Sequence, residues 1–138
     1  MFVSYFALPE RGAFGEVVMS FNQAVLRGTL SSVPEVRVLA SETVIATLQL
    51  TTRVGDGPAI SVPVMVSEPP QWLEASEAGT ELVVLGTIRR RFFRAGGATA
   101  SRVEVHAESL ARATDRRALR TLMRRVEKSF AEILVDSA

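Results

Sequence analysis

Residues 89–93 read Arg-Arg-Arg-Phe-Phe, three guanidinium groups beside two aromatic rings in a chain of 138 residues. Guanidinium groups neutralise phosphates and rings stack on bases, so the cluster suits a flexible, stacked polyanion; an ordinary solvated surface is the competing reading. Other chemistry is poorly supplied. The chain has no cysteine, which removes disulfides, thiolate nucleophiles and Cys-based metal sites together. It has no glycine-rich phosphate loop and no nucleophile patterned with a partner base, so neither catalysis, a cofactor nor a small-molecule substrate is expected. His106, the one histidine, alternates with Glu104 and Glu108. That spacing reads as a solvated, charge-paired strand face, and no metal is assigned to it.

The net charge of +1 hides an uneven distribution. Residues 1–88 hold 4 arginines against 9 acids, whereas residues 89–128 hold 12 basic residues against 4 acids. Positive charge therefore starts at the Arg-Phe cluster and continues beyond it. No apolar run approaches the roughly 20 residues of a membrane span, and the N-terminus lacks the pattern of a secretory signal. A cytoplasmic, nucleoid-associated protein without membrane contact is the expectation.

Placing these side chains requires a sheet, and period-two alternation supplies one. From Asn22, Ala24, Leu26, Gly28 and Leu30 alternate with Gln23, Val25, Arg27 and Thr29, a half-buried strand that Pro34 interrupts and residues 36–39 resume. Residues 43–52 form a second strand after a turn at 40–42. Residues 60–66 form a third, which Pro63 places at an edge. Pro69 and Pro70 open a short helix that carries Trp72 and Leu73 and stops by Gly79. Residues 82–93 make the fourth strand, Gly96 and Gly97 a hairpin tip, and residues 101–110 the fifth strand. Thr114 is the expected cap of a tail helix whose Leu119, Met123, Val126, Phe130 and Ile133 recur at heptad spacing.

Five strands with a helix between the third and fourth predict a mainly β protein, a five-stranded OB-fold Greek-key barrel, followed by a C-terminal amphipathic helix. The organisation reads as an arm over 1–18, a barrel over 19–111 and the helix over 112–138. Met19 stands just before the first patterned segment and is an alternative start of translation. In the fourth strand, alternation turns Val84, Gly86 and Ile88 to the core and gathers Arg89, Arg91 and Phe93 on the opposite face. Arg27, Arg37 and Arg53 are further candidates for phosphate contact.

Two segments carry a family resemblance. NQAVLRGTLSSVPEVRVLASETVIATLQLTT (22–52) resembles the first half of bacterial single-stranded DNA-binding proteins: N-x-hydrophobic-x-L-x-G-x-L, then P-E-x-R, then an alternating strand. AGTELVVLGTIRRRFFRAGGATASRVEVHAE (78–108) is similar to the second half, with glycines before and within the strand, R-x-R-x-aromatic at its end, a hairpin and an E-V strand. The resemblance implies an OB-fold that binds single-stranded DNA with little sequence preference in DNA replication, repair or recombination. It also implies a homo-oligomer, usually a tetramer, and no cofactor. The family stacks bases on several aromatic rings; here Phe93 matches, Met65 lies near another such position, and the rest fall around Asp56 and Ala59 or Ile60. The chain ends AEILVDSA rather than in an acidic, apolar-tipped peptide, as a divergent or secondary paralogue would. An OB-fold that has exchanged DNA binding for self-assembly or a protein partner is the alternative.

Overall fold

The computed structural model describes residues 20–134, so the arm expected over 1–18 lies outside the described residues. Six strands form: β1 (Ala24–Leu30), β2 (Glu35–Val38), β3 (Val44–Thr52), β4 (Ile60–Ser67), β5 (Glu81–Ala95) and β6 (Ala98–Arg112). Helix α1 (Gln71–Glu74) falls between β4 and β5, and α2 (Arg116–Leu134) follows β6. The sequence reading had five strands. Pro34 separates β2 from β1, and β2 becomes a sixth strand with a neighbour of its own, β3.

The sheet order is β1-β5-β6-β4-β3-β2, and β1 also pairs with β3 at Thr29↔Thr51 and Leu30↔Leu50. Five strands thereby close into a ring, with β2 outside it. All pairings are antiparallel except β4 with β6, where Met65 registers against His106. β4 is not an edge strand as Pro63 suggested; β6 reaches only Val64 and Met65, so Pro63 sits where β4 has β3 alone beside it.

Alternation decides what fills the ring. Leu30, Leu48, Leu50, Val64, Leu82 and Val84 are all buried within it, and Leu73 of α1 joins the same cluster. Two glycines are dictated by close backbone approach: a Cβ on Gly28 would collide with the Thr51 carbonyl oxygen, and one on Gly86 with that of His106. Gly96 and Gly97 both adopt positive φ at the tip between β5 and β6, as a two-residue hairpin turn requires. The hairpin rises past the ring, so Ile88, on the core-side face of β5, is 47% exposed rather than buried.

The tail helix is capped by Asp115 instead of Thr114: the Asp115 carboxylate accepts the Ala118 N–H at 3.1 Å. Its contacts also differ from a simple heptad seam. Leu122 and Val126, flanked by Ala118 and Leu119, pack on Val83, Leu85 and Ala111 of the outer sheet face. Met123, Phe130 and Ile133 remain exposed. Among the described residues no helix is long and apolar enough to cross a membrane.

Candidate nucleic-acid interface

Along β5, Leu82 and Val84 enter the ring while Val83 and Leu85 turn outward, and the period of the strand carries Thr87, Arg89, Arg91 and Phe93 onto the same outward face. Helix α2 covers the first two. Beyond it, Arg89 stands opposite Glu104 of β6, Arg91 opposite Arg102, and Phe93 opposite the small Ala100. Arg89 is exposed, while Arg91 and Phe93 are half-buried. The expected trio therefore shares one surface, extended by Arg102. Arg90 lies on the reverse face, where it donates to the Ser101 hydroxyl at 3.1 Å, and Arg94 reaches the Gly97 carbonyl at 3.5 Å at the tip.

A carboxylate organises this surface. The Glu104 side chain is 1% exposed; its Oε1 lies 3.2 Å from His106 Nε2 and its Oε2 lies 3.7 Å from Arg102 Nε. Oε2 has no hydrogen-bond partner. The sequence reading had a solvated, charge-paired face here; the pairing is present, but Glu104 is buried rather than solvated. Because β4 docks parallel to β6, Met65 comes alongside His106. A buried carboxylate needs nearby cations, which Arg102 and the cross-strand Arg89 supply. Beside it opens a recess of about 270 Å³, lined by Met65, Ser67, Thr87, Arg89, His106, Ala107 and Glu108.

Burial pushes the His106 pKa below its usual value; Glu104 opposes that shift, and Arg89 and Arg91 reinforce it. The folded protein thus resists protonation that the unfolded chain accepts. Stability from this group is complete above the ordinary histidine pKa of about 6.5 and declines as pH falls through that value toward the lower folded one. Urea titrations across this range should show declining stability at the acid end, and His106→Gln should flatten that part of the profile. An unchanged slope in the variant would assign the acid sensitivity elsewhere.

The other expected contacts are dispersed. Arg27, outward on β1, is ion-paired with Glu81 at 2.8 Å. It shares a groove with Arg116, Leu119 and Arg120 of α2 rather than with Phe93. Arg37 lies on β2, outside the ring. Arg53, in the loop after β3, donates to the Gly57 carbonyl at 3.0 Å. Glu104, His106, Ser67 and Thr87 entered the site without having been singled out for it, whereas Met65 was already placed near a stacking position by the family resemblance. Only the outward phase of Thr87 and the alternation of Glu104 with His106 signalled them locally.

No protein-family model matches this chain, and no curated protein sequence is significantly similar to it. Its chemistry must be read from the site.

Proposed function

We propose that the chain binds single-stranded DNA through an OB-fold, without catalysis and with little regard to sequence. The observation that carries this reading is the outward face of β5 and β6, where Arg89, Arg91, Arg102 and Phe93 share one surface. Cations there neutralise phosphates while the ring offers a π-face to any base. The fold supports it: a closed ring of five strands with a single parallel pair, and a short helix between the third and fourth ring strands, is the arrangement expected of an OB-fold.

Fluorescence anisotropy with labelled oligo(dT) at two salt concentrations tests the proposal. Saturable binding that weakens with salt is expected. Each phosphate neutralised on a single strand contributes about 0.7 to the slope of log K against log salt, so Arg89→Ala with Arg91→Ala should reduce that slope by about 1.4. No binding at low salt would overturn the reading.

The exposed Met123, Phe130 and Ile133 on α2 favour a second reading, in which the fold serves self-assembly or a protein partner. The two are compatible if the DNA-binding form is a homo-oligomer.

A further inference from the structure

We infer that β2 is a self-pairing edge, through which two copies of this chain join antiparallel about a two-fold axis at Val36. Among the described residues β2 pairs with β3 alone, and all four of its residues are exposed, Val36 at 41% and Val38 at 67%. An open edge bearing apolar side chains is a template for another strand.

Backbone geometry selects which groups are available. The Leu39 N–H donates to the Thr43 carbonyl at 2.9 Å, and antiparallel pairs alternate between bonded and non-bonded. Arg37, opposite Ile45, and Glu35, opposite Thr47, therefore direct their backbone groups to β3. Those of Val36 and Val38 face the open side.

Side chains select the register. A two-fold axis at Val36 lets each Val36 exchange both hydrogen bonds with its copy. The same register places Glu35 opposite Arg37 in a non-bonded pair, where cross-strand side chains approach most closely. It does so twice. Shifting the axis to Arg37 would instead oppose two arginines. Within the chain neither the Glu35 nor the Arg37 side chain has an ion pair or a hydrogen bond among the described residues. A sequence of Glu-Val-Arg on an open edge is thus complementary to itself, as an isologous contact demands. Arg37 is thereby assigned to the second copy and not to phosphate.

Sedimentation equilibrium of the full chain tests this without DNA. The parent should associate with increasing concentration. Glu35→Arg alone, or Arg37→Glu alone, opposes like charges twice per interface and should raise the dissociation constant about tenfold. The double variant Glu35→Arg with Arg37→Glu restores opposite charges and should recover the parent constant. A parent that stays monomeric overturns the inference, and so do single variants that associate like the parent or a double variant that is not rescued. Oligo(dT) binding by a dissociated variant would leave the DNA reading standing, so the two proposals fail separately.

Discussion

Replacing Gly86 by valine should lower folding stability by about 3 kcal/mol, at the upper end of what overpacking typically does. The reason is a backbone contact and not a side-chain one. A Cβ at this position meets the carbonyl oxygen of His106 and the side chain of Val105, and the oxygen belongs to a strand that cannot move independently of its ladder. Register between β5 and β6 also shifts here, between Leu85 and Gly86. The consequence reaches the site, because His106 and Glu104 lie on the displaced strand. Thermal unfolding should show a drop of roughly 10 °C for a domain of this size. Val83→Ala, which removes atoms from the α2 contact instead, separates general loss of packing from this collision: its melting should fall while the environment of His106 stays as in the parent. A Gly86→Val protein that melts with the parent would show that the two strands do not approach as described.

Phe93→Ala should weaken oligo(dT) binding by about 1 to 3 kcal/mol and leave the salt slope unchanged, since stacking contributes no counterion release. Phe93 is the one aromatic on the outward face of β5, with Ala100 across from it, and no second ring on that face can take over. Phe93→Trp should retain or strengthen binding. Folding should survive both changes, because Phe93 lies on the part of the hairpin that rises past the ring core. Equal affinity for the alanine variant and the parent would move the base contacts off this strand. A lowered salt slope in that variant would mean that the ring positions Arg91 and does not stack.

The period-two pattern of residues 82–93 determined which side chains share a face, and Arg89, Arg91 and Phe93 do so because alternation is a property of each residue's own backbone. The Gly96-Gly97 turn, the short helix after two prolines and the amphipathic tail were legible for the same reason: each depends on conformations available to a few adjacent residues. Burial was not local in this sense. Glu104 and His106 alternate like surface residues, yet Glu104 is buried, and the parallel docking of β4, from forty residues earlier in the chain, sets Met65 beside His106. Heptad spacing marked the apolar positions of α2 but not the phase of its docking. Leu122 is buried and Met123 exposed because Val83, Leu85 and Ala111 present a patch that meets one side of the helix and ends before its last turns. Arg27 was outward as alternation required, yet its partner is Glu81, brought beside it by the β1–β5 register. Local sequence sets the face a side chain occupies; long-range strand pairing sets what that face meets.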